Sequence, residues 1–241
     1  MKTLIAQGAE AKIYLDILAD SPTIYKQRIP KSYRLPQLDE KIRKSRTKSE
    51  AKILEKAGKI INTPKVNKID KDNKTLHLEF IEGDRFSETL NSYPGKKQFE
   101  IMKQLGKQVA KLHHENIIHG DLTTSNAILK KESQSKSKSR STSQTKEETP
   151  VDNTLHKQNS AKFLPEKLFI IDFGLSYISQ RIEDKAVDIH LIKQALEAKH
   201  FQNHKDLFKE FEKGYLSTNK QESKKVLEQL KKVEARGRYK H

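Results

Sequence analysis

An Asp with an Asn five residues on, and a second Asp after a short apolar strand, limits what this chain can fold into. Asp121 and Asn126 stand in His119-Gly120-Asp121-Leu122-Thr123-Thr124-Ser125-Asn126, and Asp172 opens Asp172-Phe173-Gly174 after Leu168-Phe169-Ile170-Ile171. The first spacing asks for a tight loop that turns both side chains to one point. The second puts a carboxylate at a strand end, where loops present ligands. Together these groups suit phosphoryl transfer. One carboxylate takes or orients the nucleophile's proton, while the Asn oxygen and the second carboxylate hold magnesium against the phosphates. Asp121 is therefore the candidate catalytic residue. Asn126 and Asp172 are the candidate metal-binding residues, and ATP and Mg2+ are the expected cofactors. His119 is assigned to packing of the loop.

The first half of the chain offers a second clamp for a nucleotide. Lys26 lies in the β-branched and aromatic run Ile24-Tyr25-Lys26-Gln27-Arg28. A lysine on such a strand reaches α and β phosphates when a carboxylate holds it, and Glu50, on a long helix, is the natural partner. Gln7, Gly8, Ala9, Glu10 and Ala11 occupy the place of a phosphate-covering loop, with one Gly where three are usual. Backbone N–H groups near Gly8 are expected to face phosphate, and Glu10 is an unusual charge for that place. Glu79 and Ile81, at the end of an apolar strand before Glu82-Gly83-Asp84, read either as a hinge between lobes whose backbone meets adenine or as an ordinary strand end.

The rest of the chain places these groups. Strands are expected at 4–5, 11–18 and 23–29, a helix at 38–57 with Ile42, Ile53, Leu54 and Ala57 on one face and Gly58 as its stop, and strands at 66–69 and 76–81 around Asp70-Lys71-Asp72-Asn73. Residues 1–83 form the expected first lobe and 84–241 the second. The second opens with an amphipathic helix carrying Phe99, Met102, Leu105, Val109 and Leu112. Short strands follow at 117–119, 127–129 and 168–171, then helices at 184–198, 205–215 and 222–234. Between 131 and 162 the chain turns Ser- and Lys-rich and cannot bury a core, so a disordered insertion is expected there.

The chain has 241 residues and no Cys, which excludes disulfides and thiolate zinc sites. No run approaches transmembrane length and none resembles a signal peptide, so a soluble cytoplasmic protein with no membrane partner is expected. The formal net charge of +16 favours polyanions. Without an aromatic-rich RNA-binding motif, phosphate contact is expected over base reading.

Protein kinases follow Asp-Phe-Gly with a long segment closed by Ala-Pro-Glu. Here fourteen positions separate Gly174 from Asp188, no Ala-Pro-Glu occurs, and Gly120 replaces the Arg that meets an activation-loop phosphate in regulated kinases. The expected fold class is thus α+β: a bilobal protein-kinase-like fold with a small β-rich N-lobe, one long helix, and a reduced helical C-lobe lacking a full activation segment.

The chain closely resembles the small atypical Ser/Thr kinase and ATPase of the KEOPS (EKC) complex, the PRPK family. The resemblance is carried by Lys26 to Arg34, Pro36-Gln37-Leu38-Asp39, Arg46-Thr47, Glu50-Ala51, His119 to Asn126, Ile171 to Leu175, Glu183 to Asp188 and the closing Arg236-Gly237-Arg238. It covers nearly the whole chain outside the insertion. It implies an ATP-dependent component of the machinery that forms threonylcarbamoyladenosine at tRNA position 37. It also implies Ser/Thr phosphorylation in isolation, including of itself. The implied partners are the threonylcarbamoyl-transferase subunit and a small helical bridging subunit. Direct tRNA contact through the basic surface and the basic C-terminal tail, with Arg236 and Arg238, is a further expectation, and docking of that tail into the transferase subunit is equally compatible. A stand-alone Rio-like kinase, a small-molecule kinase and a regulatory scaffold remain the rival readings.

Overall fold

The computed structural model describes residues 2–19, 21–130 and 167–237. The expected insertion at 131–162 and Arg238 lie outside the described residues.

The N-terminal lobe is one five-stranded antiparallel sheet. Its strands are β1 (Lys2–Gln7), β2 (Ala11–Asp16), β3 (Thr23–Arg28), β4 (Val66–Asp70) and β5 (Thr75–Glu79), in the order β1-β2-β3-β5-β4. β3 is central, with Lys26 opposite Ile13 on one side and Leu76 on the other. Strand alternation puts Lys26 and Arg28 on one face, and both are buried. The β4–β5 connection is closed by Asp70, whose Oδ1 accepts the N–H groups of Asp72 and Asn73 at 3.1 and 2.9 Å. β2 ends at Asp16 and β5 at Glu79, so Ile81 belongs to the linker between lobes. There it packs with Ile128 and Phe169.

A single long helix, α1 (Pro36–Ala57), crosses this lobe. Pro36 starts it, where a missing N–H costs nothing, and Gly58 follows its end. Thr47, Glu50, Ala51, Leu54 and Ala57 are buried at spacings of three and four. Ile42 is only half-buried: in that part of the helix the inward position belongs to Asp39, which pairs with Arg43 at 2.6 Å.

The C-terminal lobe begins with β6 (Asp84–Arg85), α2 (Phe86–Thr89) and α3 (Gly95–His114), then β7 (Ile117–Ile118), β8 (Ala127–Lys130), β9 (Lys167–Ile170) and β10 (Tyr177–Ile178). Helices α4 (Ile182–Lys199), α5 (His204–Leu216) and α6 (Lys220–Gly237) complete it. Met102, Leu105, Val109 and Leu112 are buried as the periodicity predicts, but Phe99 is 37% exposed. Gln98 takes the inward position in that first turn instead, donating to the Tyr93 carbonyl at 2.7 Å. Two glycines let α3 and α5 touch backbone to backbone. A Cβ on Gly106 would stand 2.0 Å from the Phe211 carbonyl oxygen, and one on Gly214 would stand 1.9 Å from that of Lys103. One continuous apolar core runs from Ala51 and Leu54 through Leu105 and Phe173 to Phe211 and Tyr215. Each fully buried Leu or Phe among them contributes roughly 1.5–3 kcal/mol by leaving water.

Three small pairings place the chemistry. β8 lies between β6 and β9, with Ala127 opposite Ile170 and Lys130 opposite Lys167. β10 pairs with β7, setting Tyr177 against Ile118.

Candidate active site

The site lies in a cleft of about 630 Å³ between the lobes. That volume falls within the range of small-molecule sites, roughly 300–1,000 Å³. The cleft is lined by Gln7, Gly8, Ala9, Glu10, Ala11, Lys26, Glu50, Glu79, Ile81, Asp121, Asn126 and Asp172. Twelve sequence-selected residues from six separate stretches thus meet around one space. Ile13, Ile24, Leu78 and Ile128 give it apolar walls.

Lys26 forms its electrostatic centre. Its Nζ lies 2.5 Å from Glu50 Oε1 and 2.6 Å from Asp172 Oδ1. Burial disfavours the ammonium, but the two carboxylates outweigh it and raise its pKa above the ordinary value. Asp172 is the converse case. Burial disfavours its charge, while Lys26 and the Gly174 N–H hold its carboxyl below the usual range, so it stays ionised near neutral pH. Asp172 also sits at φ +62°, a left-handed backbone that aims its side chain off the β9 strand end. Gly174 leaves room for the pair: a Cβ there would meet Lys26 Nζ at 2.9 Å and Asp172 Oδ1 at 3.0 Å.

The loop around Asp121 is held from several sides. The His119 and Gly120 N–H groups donate to the two carboxylate oxygens of Asp188 at 2.8 and 2.9 Å. His119 Nε2 is 3.0 Å from the Ile171 carbonyl, and its Nδ1 is 3.3 Å from the Asp121 nitrogen. Those partners assign Nε2 as the donor and Nδ1 as the acceptor. The ring also packs on Phe173, with centroids 4.8 Å apart. Asn126 donates from Nδ2 to the Asp121 carbonyl at 2.8 Å and to its Oδ2 at 2.9 Å. Its amide nitrogen is thereby spent on Asp121, which leaves the amide oxygen to serve as a cation ligand. Gly120 stands at φ +79°, and a Cβ there would lie 2.4 Å from the Leu175 carbonyl oxygen. An Arg at this place would be excluded for the same reason.

The covering loop differs from expectation at Gly8. Its N–H donates to the Ala11 carbonyl at 3.0 Å and so is not turned to a ligand. Lys31 reaches in from outside and donates to the Ala9 carbonyl. The charge on Glu10 is accounted for: its Oε2 lies 2.7 Å from Arg46 Nη1 and 3.9 Å from Arg28 Nη1. Arg236 sits apart from the cleft, on α6, paired with Glu183 of α4.

Two residues of the site escaped selection from the sequence. Asp188 entered only as the end of the shortened segment and as a word of the family resemblance, with no role assigned, although a buried-looking Asp soon after Asp-Phe-Gly is the available signal. Arg28 is 3% exposed and donates from Nη2 to Glu50 Oε2 at 2.6 Å. Its only signal was the period-two spacing from Lys26.

Among the described residues, no cluster of three or more acidic or His ligands could hold a metal. Magnesium at phosphates needs only one or two protein oxygens, the phosphates and water supplying the rest, and Asp172 with Asn126 fits that demand. Nor is any helix among the described residues long and apolar enough to cross a membrane.

Comparison with known proteins gives a consistent set of relatives. The RIO domain family matches residues 18–136. The KEOPS complex subunit Bud32 of Pyrococcus abyssi is 36% identical over 98% of this chain and 96% of its own length. The EKC/KEOPS complex subunit bud32 of Dictyostelium discoideum is 36% identical over 98% of this chain and 83% of its own. A probable bifunctional tRNA threonylcarbamoyladenosine biosynthesis protein of Methanobrevibacter smithii is 34% identical over 99% of this chain, which spans 37% of that longer protein.

Proposed function

The chain belongs to the Bud32 family of KEOPS complex subunits, and from that premise we propose that it is an atypical kinase and ATPase that supports threonylcarbamoyladenosine formation at tRNA position 37. The observation that carries the reading is the junction of Lys26 with Glu50 and Asp172, lining the same cleft as the Asn126-held Asp121. Residues 1–83 cover the nucleotide and 84–241 carry the catalytic groups.

The roles follow from the contacts. The apolar walls take the base against the backbone of Glu79 to Ile81. Lys26, fixed by Glu50, binds the α and β phosphates. Asp121 orients the attacking hydroxyl or water and accepts its proton, and Asn126 keeps that carboxylate in place. Bound magnesium would neutralise phosphate charge, with Asp172 and Asn126 as its protein donors. Positioning and electrostatics supply most of the rate in such sites.

With no extended peptide platform after Gly174, hydrolysis of ATP within a complex is the favoured activity. Transfer to Ser or Thr of proteins, including this chain, is the activity in isolation. The partners are the threonylcarbamoyl-transferase subunit and a small helical bridging subunit, with tRNA reached through the basic surface, in the cytoplasm. The test is ATP hydrolysis by the purified chain, alone and with its transferase subunit and tRNA. Stimulation by both supports the proposal. Turnover that neither alters, with robust transfer to an added small molecule, would replace it with a stand-alone kinase.

A further inference from the structure

Glu50 serves two cations at once. Its Oε1 takes Lys26 at 2.5 Å and its Oε2 takes Arg28 at 2.6 Å, and all three side chains are buried. The same Arg28 Nη2 lies 3.4 Å from the Gly174 carbonyl oxygen, two residues after the Asp172 that pairs with Lys26. Arg28 Nη1 faces Glu10 of the covering loop at 3.9 Å, and Glu10 is tied in turn to Arg46 on α1. One guanidinium therefore touches α1, the Asp-Phe-Gly turn and the covering loop, the three parts that must be in register around Lys26. Meanwhile Arg28 Nε is buried with no partner among the described residues. A cation present only to neutralise Glu50 would not need to strand an N–H. The forked geometry of Arg is what lets one side chain span several acceptors.

The geometry points to Arg28 as a positioning residue: it holds Glu50 and the Gly174 backbone together, so that Lys26 is set without a phosphorylated activation segment. The usual device is unavailable here, because Gly120 stands where an Arg would read such a phosphate. The inference rests on the ATP-site reading above.

The test uses the full chain carrying Arg28→Ala, Arg28→Lys, Glu50→Gln and the Arg28→Ala/Glu50→Gln pair, with thermal melting to confirm that each is folded. Arg28→Ala is expected to lower kcat for ATP hydrolysis by about tenfold to a hundredfold while KM for ATP moves less than about threefold. Arg28→Lys, which keeps the charge but not the fork, should recover less than half of the lost rate. In the Glu50→Gln background, adding Arg28→Ala should cost less than about threefold more, since residues acting through one another are not additive. Wild-type rates in Arg28→Ala, or full multiplication of the two losses, would overturn the assignment. Hydrogen exchange supplies an arm independent of turnover. The amides of Asp172 to Ser176 should exchange faster in Arg28→Ala than in the wild type, and unchanged exchange overturns the clamp. A wild-type chain with no turnover would sink the ATPase reading, and exchange alone would then decide the role of Arg28.

Discussion

Asp188 carries the backbone of Gly120: its Oδ1 accepts the Gly120 N–H at 2.9 Å from 68 residues further along the chain. Its Oδ2 accepts the His119 N–H and also lies 3.1 Å from His113 Nε2, whose Nδ1 meets the buried Tyr215 hydroxyl at 2.8 Å. A carboxylate on α4 thus fixes the residue immediately before Asp121, the proposed catalytic residue.

Asp188→Ala should destabilise the chain by about 3–5 kcal/mol, the range for stripping one partner from a buried charged network. The pH dependence has a definite sign. Burial opposes the charge on Asp188, but His113 and the loop amides outweigh it and depress its pKa. A depressed carboxylate adds stability that is fully present above its unfolded pKa, near 3.9, and is lost as pH falls through the folded value. Melting temperature should therefore fall more steeply below about pH 4 in the wild type than in an Asp188→Asn variant. Parallel acid limbs in the two would contradict the assignment.

Asp121→Ala and Asp172→Ala should each reduce ATP turnover by at least about a hundredfold, the scale of losing a group that acts only in the transition state. Neither belongs to the apolar core, so the far-ultraviolet circular dichroism spectrum should match the wild type. Retained turnover in both variants would remove the proposed catalytic centre.

Gly120→Ala tests the tightness of the loop. A side chain at φ +79° costs roughly 1–2 kcal/mol, and the contact with the Leu175 carbonyl oxygen at 2.4 Å is with backbone that cannot swing away. Turnover should drop even in protein that remains folded, because the shift required displaces Asp121. A fully active variant would mean that the segment after Gly174 yields freely.

Replacement of residues 131–166 by a two-residue Asn-Gly turn should leave ATP turnover within about twofold of wild type. Lys130 and Lys167 already stand opposite each other at the ends of β8 and β9, the geometry that a short hairpin closes. A large loss would assign the segment a part in catalysis.

The sequence read well where one local rule governed the outcome. The Asp70 turn, the Gly58 stop and the buried stripe of α3 are set by nearest neighbours in the chain. It read less well where a distant element decided. Phe99 has the right phase for the stripe, yet Gln98 is the residue turned inward. Glu10 looked misplaced because Arg28 and Arg46, which neutralise it, come from β3 and α1. The Gly8 N–H looked available until folding paired it within its own turn. Arg28 was hidden by abundance: 48 basic residues make any one of them uninformative until burial singles it out.

The two-residue ladder between β7 and β10 ties down the stretch that follows Gly174. Tyr177 and Ile178 are laced to Ile118 and Ile117, and the Ser179 amide is held by the Asn116 carbonyl at 2.9 Å. The stretch that elsewhere works as a movable flap is here a seam. A stretch held at both Ile118 and Asn116 is not free to lie over an acceptor, so on the reading proposed above the mouth of the cleft is left for a partner to cover.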